Sequence, residues 1–246
     1  MVLKFDRQEI GEDDITNAFP EKISGKEWIK YSISVWDDYK TKEESLYKHP
    51  ASFPVNLVHK LIRIYTKPKE IIIDPFMGMG SSLVAAAKLN RRSIGFEINK
   101  DFIKTGYSRL QKYNCQFKII DDSCLNIENY IPVNSIDFCI TSPPYWNILN
   151  RKRSADCKKI RNYGNEKRDL SNIKSYDKFL TQIQKVFSKI YILQELSHAN
   201  IINFGFKKHK LCNPKNKVIR KRKPINTDEH SSNLPVKIRG IHFNAF

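Results

Sequence analysis

The chain has 246 residues, with 43 Lys/Arg against 26 Asp/Glu and a formal net charge of +17. No apolar run approaches membrane-spanning length, and Met1-Val2-Leu3-Lys4-Phe5-Asp6 lacks a signal-peptide core, so the cytoplasm is the expected location. The five cysteines (115, 124, 139, 157 and 212) are scattered without Cys-x-x-Cys pairing, which excludes a disulfide framework and a zinc-finger arrangement, and no metal is expected.

The length suits one α/β domain with an extension. Residues 1–25 are mildly acidic, lack a clear period and read as a peripheral arm. The main α/β domain is expected over 26–195, followed by a basic, irregular extension over 196–246. Trp28, Ile33, Val35 and Trp36 read as a strand or a segment beside a ligand, although core packing accounts for them equally well.

Ile71-Ile72-Ile73-Asp74 is a β-branched strand that runs into the loop Pro75-Phe76-Met77-Gly78-Met79-Gly80. A helix follows, with Leu83, Val84, Ala86, Ala87 and Leu89 apolar. This strand–loop–helix opens a doubly wound fold, in which ligands bind outside the carboxyl ends of the strands. The loop is neither G-x-G-x-x-G nor a Walker loop, which argues against a nucleotide phosphate as ligand. Asp74 at the strand tip suits a cationic group, such as the amino group of an amino acid. A second strand, Arg92–Ile98, carries Glu97 at its end, where an acid commonly holds a ribose diol. A third, Gln116–Ile120, ends in Asp121-Asp122-Ser123.

Ser135–Thr141 reads as a buried parallel strand and leads into Ser142-Pro143-Pro144-Tyr145. Two prolines stop the sheet and stiffen the turn, and their carbonyls face no competing ladder. Such acceptors draw the lone pair of an amino group out of ring conjugation. Tyr145 offers a face for an extruded base. A plain Pro-Pro turn with one aromatic packed beneath it is the competing reading. Trp146 lines the same pocket or belongs to the core.

These motifs together resemble the S-adenosylmethionine-dependent DNA methyltransferases that modify exocyclic amino groups, over about residues 26–190. The resemblance implies a Rossmann-like doubly wound sheet and assigns roles. Asp74, Pro75, Phe76, Gly78 and Gly80 match the cofactor loop, Glu97 the ribose acid and Asp122 the contact to the adenine ring. Ser142, Pro143, Pro144 and Tyr145 match the catalytic motif. His49-Pro50-Ala51-Ser52-Phe53-Pro54, leading into a helix over 55–65, resembles the segment that closes over the methionine end, with Phe53 at the cofactor. The serine form of the catalytic motif favours cytosine N4 over adenine N6. The implied partner is double-stranded DNA, in a restriction–modification setting beside a cognate endonuclease. A degenerate form that binds without turnover and an RNA-modifying relative are the alternatives.

Charge distribution fits nucleic acid. Residues 1–150 hold 20 Lys/Arg and 19 Asp/Glu, whereas residues 151–246 hold 23 and 7. Arg151, Lys152, Arg153, Lys158, Lys159 and Arg161 fall in a basic loop, 150–169, just after the catalytic motif, and are expected to grip the DNA backbone. Tyr176, Phe179, Leu180, Ile183, Val186, Phe187 and Ile190 then repeat at helical spacing. A long apolar strand is expected next, yet only Ile201-Ile202-Asn203-Phe204 follows before a second basic stretch. The sheet is therefore expected to be incomplete on its C-terminal side, with a raw edge.

Overall fold

The computed structural model describes residues 23–31, 38–47, 52–146, 166 and 168–194, together with the strands at 200–204 and 241–244. Six strands form one parallel sheet: β1 (Ile71–Asp74), β2 (Arg92–Glu97), β3 (Phe117–Asp121), β4 (Phe138–Thr141), β5 (Asn200–Phe204) and β6 (Ile241–Asn244). Their order is β3-β2-β1-β4-β5-β6. The chain winds outward from β1 to β3, then returns to place β4 on the opposite side of β1. That reversal opens a crevice at the strand ends between β1 and β4.

Both faces of the sheet are covered, as a parallel sheet requires. Ile72, Phe138 and Ile140 point to one face, with Val58, Leu61 and Ile62 of α3 (Val55–Tyr65), Leu83 and Val84 of α4 (Ser81–Lys88) and Leu110 of α5 (Lys100–Leu110). Ile71, Ile73, Ile94, Phe96 and Cys139 point to the other, against Phe179, Ile183, Val186, Ile190 and Leu193 of α6 (Tyr176–Leu193). Neighbouring strand residues thus join opposite cores, following the two-residue period of a strand. Each large side chain buried this way stabilises the fold by about 1.5–3 kcal/mol.

Helix ends follow local chemistry. The α6 helix starts at Ser175, whose hydroxyl accepts from Lys178 N, and α5 at Asn99, whose side chain accepts from Asp101 N and Phe102 N. The α4 helix ends where Asn90 takes a φ of 55° and its N–H bonds Ala87 O.

Two expectations change. The run Ile201–Phe204 is long enough to be a strand: with Asn200 it forms β5, paired in parallel with Phe138–Thr141, and β6 pairs beyond it. The sequence expectation failed because five residues beside a basic stretch give a weak apolar signal. Trp28 lies in α1 (Gly25–Tyr31), not a strand, and is 55% exposed. Ser24 and Glu27 exchange bonds, Ser24 N to Glu27 Oε2 at 3.0 Å and Glu27 N to Ser24 Oγ at 3.2 Å, a capping box that starts a helix there. Ile33, Val35 and Trp36 lie outside the described residues, as do residues 1–22 of the arm and most of the extension. No helix among the described residues is long and apolar enough to cross a membrane.

Candidate functional site

The crevice at the strand ends holds a cleft of about 880 Å³, counting its open mouth. Its floor is the loop after β1. Gly78 and Gly80 have φ of 54° and 75°, values that strain any residue with a Cβ, and Gly80 leads directly into α4. Met77 N donates to Phe96 O at 3.1 Å and Gly80 N to Met77 O at 2.9 Å, which folds the loop over β2. Pro75, Phe76 and Gly78 line the cleft, and Phe53, just before α3, forms a facing wall.

Asp74 does not line the cleft. It is 1% exposed, beneath the loop. Its Oδ1 accepts from Phe76 N at 3.0 Å and from Thr141 Oγ1 at 2.6 Å, and its Oδ2 accepts from Ser82 Oγ. One carboxylate therefore clasps the β1 tip, the first turn of α4 and the β4 tip. Burial pushes its pKa up to about 6 against these three donors. The sequence pointed to an acid that meets a cationic ligand directly; in the structure the carboxylate is met by Phe76 N, Thr141 Oγ1 and Ser82 Oγ.

Glu97 and Asp122 stand at the ends of β2 and β3 and both line the cleft. Glu97 Oε1 accepts from Ile98 N and Asn99 N, each at 2.9 Å. Burial nonetheless raises its pKa to about 7, with a small push from Asp169. Asp122 lies below the ordinary aspartate range. Partial burial acts to raise it, but donors from Asn126 Nδ2 (3.0 Å), Ser123 N (2.7 Å) and Tyr130 Oη (2.9 Å), with the Arg168 charge, outweigh that.

At the β4 tip, Ser142 and Pro144 line the cleft, while Pro143 and Tyr145 do not. Trp146 turns away into the core: its Nε1 donates to Ile173 O at 2.6 Å and its ring meets Tyr176 edge-on at 5.1 Å. Its φ of 50° marks a sharp, strained change of direction just after Tyr145. Arg151, Lys152, Arg153, Lys158, Lys159 and Arg161 lie outside the described residues. Among the described residues no group of three or more His, Cys, Asp or Glu side chains could hold a metal ion.

Sequence reasoning missed one wall. Glu166, Arg168 and Asp169, at the end of the basic loop, and Leu170 just after it close the cleft from the α6 side. Arg168 Nη1 lies 3.4 Å from Asp122 Oδ1. Burial raises the Asp169 pKa although Ser171 N donates to it at 2.8 Å. No local motif marks these residues; only the return of the chain to the crevice brings them there.

The comparisons point the same way. Residues 6–108 match the family model of DNA methylases. The chain is 43% identical over 77 residues to the type II methyltransferase M.HindIII of Haemophilus influenzae, a match covering 30% of this chain and 25% of that protein. It is 37% identical over 87 residues to the type II methyltransferase M2.DpnII of Streptococcus pneumoniae, covering 35% and 32%. It thus spans about a third or less of these relatives. Among solved structures, an rRNA methylase from Streptococcus thermophilus overlaps 60% of the chain and 67% of its own length, at 16% identity and a TM-score of 0.40. The fold assignment rests instead on the sheet's own topology. Residues 6–108, which contain the glycine loop and Glu97, are thus similar to the DNA methylases.

Proposed function

We propose that this protein transfers a methyl group from S-adenosylmethionine to the exocyclic amino group of a base flipped out of double-stranded DNA, cytosine N4 in preference to adenine N6. One observation carries the reading: a single cleft brings Phe53, the Pro75–Gly78 loop, Glu97 and Asp122 beside Ser142 and Pro144.

The residues present suit that cofactor. Glu97 accepts from the ribose hydroxyls and Asp122 from the adenine amino group, with apolar walls from Phe53, Phe76 and Leu170. The acids around the cleft favour a cation. Asp74 holds the loop in shape from below. When bound, the cofactor supplies a methyl group activated by its sulfonium, which leaves as a neutral thioether. Ser142 Oγ and the Pro143 carbonyl accept from the target amine, keep its lone pair out of ring conjugation and fix its line of attack. The surplus amine proton passes to these acceptors and on to water. Tyr145 stacks on the extruded base. Arg151, Lys152, Arg153, Lys158, Lys159 and Arg161 grip the backbone. The named relatives are type II methyltransferases, and we place this protein in the same setting, beside an endonuclease.

The test is transfer of labelled methyl from S-adenosylmethionine to unmethylated DNA, followed by nucleoside analysis. Labelled N4-methylcytosine is the expected product. Cofactor binding without transfer would overturn the assignment in favour of a degenerate enzyme, and transfer to RNA alone would change the substrate.

A further inference from the structure

Arg109, near the end of α5, is 6% exposed and lines no part of the cleft. Its guanidinium nevertheless touches segments that lead to two of the cleft's walls. Nη1 donates to Met79 O at 2.6 Å and to Ser81 Oγ at 3.3 Å, and both Met79 and Ser81 line the cleft. Its Cζ lies 4.8 Å from the centre of the Tyr47 ring. Tyr47 directly follows α2 (Lys42–Leu46), the short helix before the segment that carries Phe53. A second tie joins α2 to that wall: Glu44 Oε1 accepts from Val55 N at 2.8 Å, two residues past Phe53.

The loop needs such an anchor. Met79 sits between two glycines with left-handed φ, so its carbonyl direction is poorly fixed by its own backbone. A planar, fully charged guanidinium fixes it and presents a face to an aromatic ring in the same act, which a lysine does less well. The surface pair Lys112–Glu43 at 3.1 Å is exposed and adds little.

We infer that Arg109 is a positioning residue for the cofactor, tying the glycine loop on one side of the cleft to the Tyr47 segment that sets Phe53 on the other. The inference rests on the proposed S-adenosylmethionine reading for its functional consequence, but not for its structural one.

The test uses Arg109→Met, Arg109→Lys, Tyr47→Ala and the Arg109→Met/Tyr47→Ala double variant of the full chain. Losing hydrogen bonds from a charged donor predicts that Arg109→Met weakens S-adenosylmethionine binding roughly 10- to 100-fold by calorimetry. The turnover number at saturating cofactor should stay within about threefold, which separates positioning from chemistry. Arg109→Lys, which keeps a charged donor for Met79 O but stacks less well, should recover part of the affinity. Tyr47→Ala should weaken binding too, and the double variant should lose less than the product of the single losses. Hydrogen exchange of the cofactor-free protein reads the tie without ligand: Arg109→Met should speed exchange in both 77–81 and 41–47. Unchanged exchange in 41–47, independent effects in the double variant, or turnover falling as far as affinity without rescue by lysine would each overturn the inference. A wild-type chain that binds no S-adenosylmethionine would instead overturn the proposed function, while the exchange comparison still decides the role of Arg109.

Discussion

Replacing Asp74 separates its two readings, support for the loop and direct contact with a ligand. Asp74→Ala strips the acceptor from three donors, two of them buried and Phe76 N partly so: Phe76 N, Thr141 Oγ1 and Ser82 Oγ. Each donor left unpaired costs about 1–3 kcal/mol, so the gross loss is roughly 3–9 kcal/mol. Against this, the variant no longer buries a charge. The native pKa near 6 lies above the ordinary value of 3.8. That gap corresponds to about 3 kcal/mol of unfavourable burial above pH 6. The net expectation for alanine is a loss of about 3 kcal/mol. Asp74→Asn behaves differently. Its oxygen keeps the two bonds made by Oδ1, and its amide donates to Ser82 Oγ, which turns from donor to acceptor. Asparagine should therefore stay within about 1 kcal/mol of wild type. The pH dependence has a definite sign. A carboxyl with a raised native pKa contributes stability that is complete below its unfolded pKa and is lost as pH rises through 6. Asp74→Asn should flatten that part of the profile, leaving the part due to Glu97, which runs up to about 7. Urea denaturation of wild type and both variants at several pH values, with S-adenosylmethionine affinity measured in parallel, makes the comparison. An asparagine variant that folds normally but loses cofactor binding would refute the clasp and restore Asp74 as a ligand contact.

Four further outcomes are expected. With a Glu97 pKa near 7, cofactor affinity should fall about tenfold from pH 8 to pH 6, because only the carboxylate accepts from a diol; Glu97→Gln should bind weakly with that dependence removed, and a flat wild-type titration would remove Glu97 from the site. Gly95→Ala in β2 should cost about 1–3 kcal/mol by overpacking, since an added Cβ would meet the Cβ and Cγ of Met77 at 3.0 Å and push the loop above it; an unchanged urea midpoint would show that Met77 moves aside freely. Tyr145→Ala should leave cofactor affinity intact and abolish transfer, and loss of both with loss of folding would make the residue structural. Phe179→Ala, which empties a fully buried position where α6 meets the sheet, should cost about 3–5 kcal/mol in denaturation, and a loss below 1 kcal/mol would mean that α6 is not held by that core.

The glycine-loop side of the crevice was legible because its signals are local. A β-branched strand, two glycines, a helix and an acid at the next strand tip lie within 27 residues, Ile71 to Glu97, and each has its own pattern. The helix over 55–65, the strands and α6 follow from periodicity. What the sequence hid depends on residues far apart in the chain. Arg109 looks like a surface arginine at a helix end until α5 packs beneath the loop 30 residues earlier. Arg168 and Asp169 read as part of a basic loop until the chain returns to Asp122. Asp74 reads as an open acid because no local rule reports that Thr141, 67 residues away, covers it. The fifth strand was missed because its signal is short and its partner, β4, lies far back in the chain.

The strand order also bears on how the molecule assembles. On one side of the crevice, β1, β2 and β3 are each reached through a single helix, and β2 meets β3 over five aligned residues, Ser93–Glu97 against Phe117–Asp121. On the other, β4 docks only when the chain closes a loop of 66 residues to bring Asp137 to Ile71 N. Closing a longer loop costs more chain entropy, so the near pairings form first. The β1–β3 side therefore serves as the template on which the β4 side condenses. Pulse-labelled exchange during refolding should protect β1 and β2 before β4.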